Sequence, residues 1–333
     1  MLVSMYILCF NHQEFVAEAI RGALAQTYNP LEIIISDDGS TDRTWEIIQE
    51  TVSHYQGPHQ VIVRRNDYNL GISAHINECW KQCSGKWIVA SAGDDVSLPE
   101  RVQMTVNTAN RYPAIKLIQA LLNEVDQDGN FISTNMLGID RYGVLYDVYL
   151  PNRFQEQPFN QHGAAMSYHR DVIDLFGPLP NDVIFEDNIV NIRAELIGGC
   201  GVLTVPLVQH RNHSGQITKD SSDLPHATVA RRAKKRLYSD VVSSSQNIAD
   251  YKKIYMGTNI SPNVGNYAKI LFFRRDFFLL RYYAATKRWP LRLFYFVQLM
   301  MYRHWACKIT RREIFHMIMP SFVWTIRKAL SLR

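Results

Sequence analysis

The stretch LEIIISDDGSTD, residues 31–42, joins an apolar run to an acidic turn. Its first half has the composition of a parallel strand that is covered on both faces of a sheet. Asp37, Asp38 and Gly39 follow at the point where this strand ends. Apolar residues then repeat with helical period over residues 41–55. The segment therefore predicts a buried strand, a turn and a helix.

The same order of strand and helix recurs on both sides of this segment. Apolar runs at residues 2–10, 61–64, 87–91 and 115–122 alternate with stretches of helical period. This alternation predicts βαβ units, and so an α/β fold with a mostly parallel central sheet flanked by helices. Ligands bind such sheets at the carboxyl ends of the strands. The acidic turn is therefore expected at a binding edge.

A second acidic pair, Asp94 and Asp95, follows the strand predicted over residues 87–91. Adjacent carboxylates repel each other unless a cation neutralises them. A hard cation such as Mg²⁺ or Mn²⁺ takes one or two carboxylates and completes its shell with phosphate oxygens. The pair therefore predicts a metal site, and a solvated Asp-rich turn is the alternative.

Glu186 and Asp187 form a third acidic pair, directly before another segment of helical period. A carboxylate in this place is suited to act as a general base. Capping of the helix N-terminus is the alternative, and it is the favoured interpretation of this motif taken alone.

Several motifs follow one another along the chain: VSMYILCFN (3–11), SDDGSTD (36–42), NLG (69–71) with Asn77, SGKWI (84–88), and the acidic pairs at 94–95 and 186–187. In this order and spacing they resemble the family 2 glycosyltransferases. The resemblance covers about residues 1–215. It implies a GT-A fold, in which a nucleotide-binding α/β half is fused to an acceptor half. It also implies transfer of a sugar from a nucleotide-sugar donor to a hydroxyl acceptor, with inversion at the anomeric carbon.

The resemblance also implies roles for single residues on the donor side. Asn11 is expected beside the base or the ribose. Asp38 is expected to accept a hydrogen bond from the base, with Asp37 close by. Asp95 is expected to be the direct metal ligand, and Asp94 to lie near the ribose or the metal.

On the acceptor side, Asp187 matches the general base of the family, and Glu186 is expected to support the acceptor site. Arg211 is expected to contact phosphate. His213 resembles a late histidine that approaches the metal or the diphosphate in some members, and a surface loop is the alternative. The implied cofactor is Mn²⁺ or Mg²⁺.

The chain departs from the family pattern at two positions. Cys9 stands where a proline is common, and Ala92 stands where a further aspartate is frequent. The second departure leaves fewer carboxylates for the metal.

Charge divides the chain into two predicted domains. Residues 1–222 hold 15 Lys and Arg against 26 Asp and Glu, whereas residues 223–333 hold 21 against 5. We therefore predict a GT-A domain over 1–222 and a basic, aromatic-rich helical extension over 223–333. Arg274, Arg281 and Arg288 repeat every seven residues, so they share one helix stripe.

This pattern predicts contact of residues 269–333 with an anionic membrane surface, and packing of these helices on the protein is the alternative. Nucleic acid is not an expected partner, since the first domain is acidic and no recognition motif is present. Neither a signal peptide nor a run of about 18 apolar residues occurs, so we expect a cytoplasmic protein at the cytoplasmic face of the membrane.

The predicted activity is transfer from a UDP-, GDP- or dTDP-sugar to a saccharide or lipid-linked acceptor of a surface polysaccharide. A sugar-1-phosphate nucleotidylyltransferase would need a glycine-rich basic loop after the first strand, where this chain has Asn11-His12-Gln13-Glu14. A non-catalytic α/β protein that binds Mg²⁺ or a nucleotide-sugar at the membrane is the remaining alternative.

Overall fold

The computed structural model describes residues 1–136, 148–149, 162–216, 226–255 and 262–286. The chain divides into two compact units, residues 1–272 and 273–333. The boundary predicted from charge, between residues 222 and 223, lies outside the described residues and stays a prediction.

Within the described residues, the strands form one mixed sheet. In chain order they are β1 (Val3–Cys9), β2 (Leu31–Asp37), β3 (Gln60–Arg65), β4 (Trp87–Ala92), β5 (Val96–Ser97), β6 (Leu117–Val125), β7 (Phe131–Asn135), β8 (Val148–Tyr149), β9 (Met166–His169) and β10 (Cys200–Arg211). Their order across the sheet is β3-β2-β1-β4-β9-β6-β10-β5, with β7 paired to β6 and β8 to β10.

The described helices are α1 (Val16–Leu24), α2 (Thr44–Ser53), α3 (Ile72–Gln82), α4 (Arg101–Arg111), α5 (Asp171–Asp174), α6 (Asp187–Ile197), α7 (His226–Tyr255) and α8 (Pro262–Thr286). None of these helices is long and apolar enough to cross a membrane. The helix predicted from residue 41 begins at Thr44 instead, because Ser40 and Thr41 bond to the acidic turn and to Asn11.

The parallel half of the sheet confirms the predicted α/β fold. Strands β1 to β4 are parallel to one another, and β2 is buried along its whole length. Because side chains alternate across a strand, β1 feeds two cores. Met5 and Ile7 pack with α1, α2 and α4 on one face, whereas Tyr6 packs with α3 and α6 on the other. This two-faced burial explains the continuous apolar run.

Strand β9 breaks the parallel pattern, since it lies antiparallel between β4 and β6. Two successive reversals leave β6 parallel to β4, and β10 is parallel to β6. The carboxyl ends of β1, β2, β4, β6 and β10 therefore lie along one edge of the sheet. The register places Cys9 beside Asp37, and Val125 beside Arg211.

Helix α7 packs against α6 through a small core and a buried ion pair. Ile248 and Tyr251 share one hydrophobic cluster with Ile192 of α6. Arg193 Nε donates to Asp250 Oδ2 at 2.8 Å, and both side chains are almost fully buried. Removing one partner of such a pair strands a buried charge, which costs about 3–5 kcal/mol. The pair therefore fixes how α7 lies on the fold.

The structure describes only the first part of the predicted membrane-contacting segment, residues 269–333. Residues 269–286 lie in α8, where Phe277 is buried and the Arg281 guanidinium lies 5.8 Å from its ring centroid. Arg288 and the rest of residues 287–333 lie outside the described residues. The membrane contact of residues 269–333 stays a prediction.

Candidate functional site

The acidic turn after β2 is held by hydrogen bonds within the protein. Asp38 is 2% exposed, and it accepts from Asn66 Nδ2 at 2.7 Å and from the backbone amides of Leu70 and Gly71 at 3.0 and 3.1 Å. Its carboxylate thus fixes the loop after β3. This arrangement places the predicted base-reading residue at the expected edge, with its oxygens already engaged.

Asp37 has a similar setting. It accepts from the Ser40 amide and forms an ion pair with Arg65 Nε at 3.1 Å. Burial raises the pKa of Asp37, and the bonds from Ser40 and the charge of Arg65 oppose that rise. The side chain therefore shapes the turn that carries Asp38.

Asn11 joins the end of β1 to this turn. Its φ of 54° lies in the left-handed region, which asparagine tolerates better than most residues. Its backbone amide donates to Ser40 Oγ at 2.9 Å, and its side-chain Oδ1 accepts from the backbone amide of Thr41 at 2.9 Å. The side chain is exposed at the carboxyl edge, where the resemblance predicts the base or ribose.

Asp94 and Asp95 have different surroundings although they are neighbours. Asp94 Oδ2 lies 3.1 Å from His213 Nε2 and 3.8 Å from His12 Nε2. Burial would raise the pKa of Asp94, but the hydrogen bond to His213 and the two histidine charges outweigh burial and lower it. Burial and the charge of Asp94 raise the pKa of Asp95.

His12 belongs to this group and was not predicted. Burial lowers its pKa, and its Nδ1 is buried without a hydrogen-bond partner among the described residues. A Cβ at Gly93 would lie 2.7 Å from this nitrogen, so glycine lets the histidine approach the acidic pair. The signal in the sequence was its position directly after Asn11.

Arg211 connects three elements around the acidic pair. Its amide donates to Asp95 Oδ1 at 3.0 Å, and its guanidinium bonds the carbonyl of Gln127 at 2.7 Å. The guanidinium also pairs with Glu18 and lies 5.0 Å from the ring centroid of Phe15. The residue is 3% exposed. Its backbone amide holds Asp95, while the predicted phosphate-contacting guanidinium is engaged by Gln127 and Glu18.

Behind Asp95 lies a histidine pair that the sequence did not reveal. His210 Nδ1 lies 2.7 Å from Glu124 Oε2, and the His210 and His162 rings are 4.2 Å apart. Burial would lower the pKa of His210, but the bond to Glu124 outweighs it and the pKa rises. Burial and the charge of His210 lower the pKa of His162 to about 4. The charge of His210 also acts on buried Asp95, where it opposes the rise of the Asp95 pKa.

Glu186 and Asp187 begin α6 and have few compensating charges. Burial raises the pKa of Glu186, and the charge of Asp187 raises it further. Burial raises the pKa of Asp187 to about 6. The Glu186 side chain makes no capping bond, whereas Asp187 Oδ1 accepts the backbone amide of Asn188 at 2.8 Å at the start of α6. The capping alternative therefore has support at Asp187 and none at Glu186.

The turn at residues 162–165 brings the two carboxylate pairs into one region. His162 stacks edge-on against His210, which faces Asp95. The next residue, Gly163, faces Glu186, because a Cβ built there would lie 2.4 Å from Glu186 Oε1. A short chain of contacts, from His210 through His162 and Gly163, therefore links the surroundings of Asp95 to Glu186.

The donor set of this region suits a hard divalent ion. Asp94, Asp95 and His213 offer carboxylate oxygens and an imidazole nitrogen, which Mn²⁺ accepts together with phosphate oxygens. The described residues contain no group of three or more such side chains already arranged as a metal site. The fit therefore depends on ligands from a bound diphosphate.

Comparison with protein families gives a match to glycosyl transferase family 2 over residues 4–176. The chain is 32% identical over 132 residues to chondroitin synthase of Escherichia coli, which is 40% of this chain and 19% of that protein. It is 29% identical over 150 residues to the putative glycosyltransferase EpsE of Bacillus subtilis, which is 45% of this chain and 48% of that protein. The matches thus span less than half of either relative.

A third relative is the Escherichia coli β-1,3-glucosyltransferase WfaP, which uses UDP-Glc and α-D-GlcNAc-diphosphoundecaprenol. It is 31% identical over 106 residues, 32% of this chain and 40% of that protein.

Two solved structures share the fold. The UDP complex of Staphylococcus aureus TarS residues 1–349 has a TM-score of 0.58 at 11% identity and covers 88% of this chain and 77% of that one. The Pyrobaculum calidifontis mannosyltransferase PcManGT, with GDP-Man and Mn²⁺, has a TM-score of 0.53 at 17% identity and covers 92% and 83%. The likeness confirms the predicted GT-A fold.

Proposed function

Because the chain belongs to glycosyl transferase family 2, we propose that it transfers a sugar from a nucleoside-diphosphate-sugar to an acceptor hydroxyl with inversion. The family predicted from the motifs is confirmed, whereas the reaction and its residues are the proposal. The observation that carries it is the chain of contacts between the two acidic pairs: His210, whose charge acts on Asp95, packs against His162, and the adjacent Gly163 lies beside Glu186. A nucleotide-sugar donor is supported by the UDP-Glc substrate of the WfaP relative and by the UDP-GlcNAc and GDP-Man bound in two structural neighbours.

On the donor side, Asn11 and the turn at Asp37 and Asp38 form the nucleotide end of the site. Asp94 and Asp95 would hold Mn²⁺ or Mg²⁺, with His213 beside Asp94. When bound, the ion acts as a Lewis acid on the leaving diphosphate. The Mn²⁺ bound by the mannosyltransferase neighbour supports a divalent cofactor.

On the acceptor side, Asp187 accepts the proton of the attacking hydroxyl. Burial raises its pKa to about 6, so the carboxylate is ionised at neutral pH and is a stronger base than an exposed aspartate. The pKa of Glu186 is raised further from its ordinary value than that of Asp187, so Glu186 stays protonated to a higher pH. In this form it donates a hydrogen bond at the acceptor site. The two carboxyls thus divide acceptance and donation between them.

The proposed acceptor is a saccharide on a lipid carrier, as in the assembly of bacterial surface polysaccharide. The diphosphoundecaprenol substrate of the WfaP relative supports this class of acceptor. We propose that residues 269–333 contact the anionic cytoplasmic face of the membrane. Nucleic acid has no part in this function.

Calorimetric titration of UDP-, GDP- and dTDP-sugars into the full chain, with and without Mn²⁺, tests the donor site. We expect metal-dependent binding of one nucleotide class, which Asp95→Asn weakens at least about tenfold because a metal-facing carboxylate is lost. Asp182→Asn removes an exposed carboxylate as the matched control. Failure of every donor to bind folded protein would contradict the proposal. Metal-dependent binding without turnover would favour the non-catalytic alternative.

A further inference from the structure

The first turns of α7 carry a dense basic cluster. Residues 231–236 read RRAKKR, so five of six positions are cationic. No acidic residue occurs in α7 before Asp240. Arg231, Arg232, Lys234 and Lys235 make no ion pair within the part of the chain that the structure describes. We call these four side chains the α7 basic cluster.

The cluster stands clear of the protein on all sides. Residues 231–235 are exposed at five consecutive positions. At about 3.6 residues per turn, five consecutive positions cover the whole circumference of a helix. Arg236 and Leu237 are half-buried, and Ser239 is fully buried. The cluster is therefore an exposed stretch of α7 and is not a face that packs on the sheet.

This arrangement costs helix stability. Arg231 has like charges three and four residues on, at Lys234 and Lys235, and Arg232 has Lys235 in the same relation. Like charges at these spacings destabilise a helix. Binding of an anionic surface would offset this cost.

The position of the cluster points toward the acceptor. Ile184 donates its amide to Ser239 Oγ at 2.9 Å, two residues before Glu186. Lys235 is one helical turn from this contact, about 6 Å along the axis. The cluster thus lies about one helical turn from the contact between α7 and the segment that carries the proposed base.

An aromatic side chain favours lipid over a soluble polyanion. Tyr238 is 41% exposed, three residues after Lys235 on the same helix. Tyrosine beside lysine and arginine suits the boundary between lipid headgroups and acyl chains. A lipid-linked acceptor is presented at that boundary.

We propose that the α7 basic cluster docks on an anionic phospholipid surface and so brings the acceptor carboxylates to the membrane. This inference rests on the proposed lipid-linked acceptor. It assigns contact to a segment distinct from residues 269–333. Removing four charges is expected to weaken binding to anionic vesicles by on the order of a hundredfold or more, at about fivefold for each charge.

The test is sedimentation of the full chain with vesicles of phosphatidylcholine, alone or mixed with phosphatidylglycerol. The clustered variant carries Arg231→Gln, Arg232→Gln, Lys234→Gln and Lys235→Gln. A control variant makes the same charge change at four scattered, exposed positions, with the substitutions Arg21→Gln, Arg43→Gln, Lys81→Gln and Lys253→Gln.

We expect binding that needs phosphatidylglycerol, weakens with salt and is lost in the clustered variant but largely kept in the scattered one. Equal behaviour of the two variants, or equal binding to neutral vesicles, overturns the proposal. Cluster-dependent binding to soluble polyphosphate without vesicle binding assigns the cluster to an anionic polymer and also overturns it. Donor titration of the same variants reports the proposed function separately, because no vesicle is present.

Discussion

The two carboxylate pairs of the site are alike in sequence and opposite in electrostatics. Asp94 and Asp95 lie among cationic or ionisable groups, namely His12, His213, Arg211 and His210. Glu186 and Asp187 meet desolvation and each other, and the causes of their raised pKa values include no cation.

The contrast separates two kinds of chemistry. Basic neighbours keep Asp94 ionised at all ordinary pH values, which suits a group that holds a metal ion. A carboxylate whose pKa lies near the working pH exchanges protons efficiently, which suits Asp187. The neighbours, and not the acidic residues themselves, decide between these roles.

The largest expected effect comes from Asp187→Asn. The amide keeps the shape of the side chain but cannot accept the proton, so we expect kcat to fall by about 10²–10⁴. Donor affinity should stay within about twofold, because only the acceptor pair is changed. Steady-state kinetics and donor titration measure the two quantities, and Asp182→Asn is the control. A parallel loss of donor affinity would break the comparison between the pairs.

Two glycine substitutions probe the pairs one at a time. A Cβ at Gly163 meets Glu186 Oε1, and a Cβ at Gly93 meets the buried Nδ1 of His12. We expect Gly163→Ala to lower kcat about tenfold with donor affinity kept, since a misplaced catalytic group costs about that much or more. Gly93→Ala should instead weaken metal-dependent donor binding.

Each of the two variants is the control for the other, and both are measured by kinetics and calorimetry. If Gly93→Ala and Gly163→Ala changed kcat and donor affinity in the same way, the two carboxylate pairs would not act separately. Thermal unfolding measures the stability of both variants. We expect Gly93→Ala to be destabilised more than Gly163→Ala, because an imidazole ring moves aside less easily than the end of a glutamate side chain.

The smallest expected effect is the fall of kcat at low pH. Burial raises the pKa of Asp187, so the protonated, inactive form gains population as pH falls toward about 6. We expect kcat at saturating donor to be halved near that pH, whereas an exposed aspartate would hold activity to about pH 4. A kcat that stays constant down to pH 4.5 would contradict the assignment of Asp187 as the base.

Much of the site was predictable because its motifs are local. The acidic pairs follow strands that are strongly apolar, so their place at the carboxyl edge follows from the strand assignment alone. The bonds that engage Asp38 were not predictable, because the loop at residues 66–71 approaches it only after β3 pairs with β2. The side-chain direction of Arg211 depends in the same way on Glu18 of α1.

The sequence by itself determined the α/β class, the family and the three acidic pairs, because these depend on periodicity and on residues close together in the chain. Only the tertiary structure decided that His12 and His213 flank Asp94, and that Gly163 faces Glu186. It also decided that β9 lies antiparallel between β4 and β6. Such contacts join residues far apart in the chain, and their formation depends on the order of strands in the sheet, which local patterns of polarity do not encode.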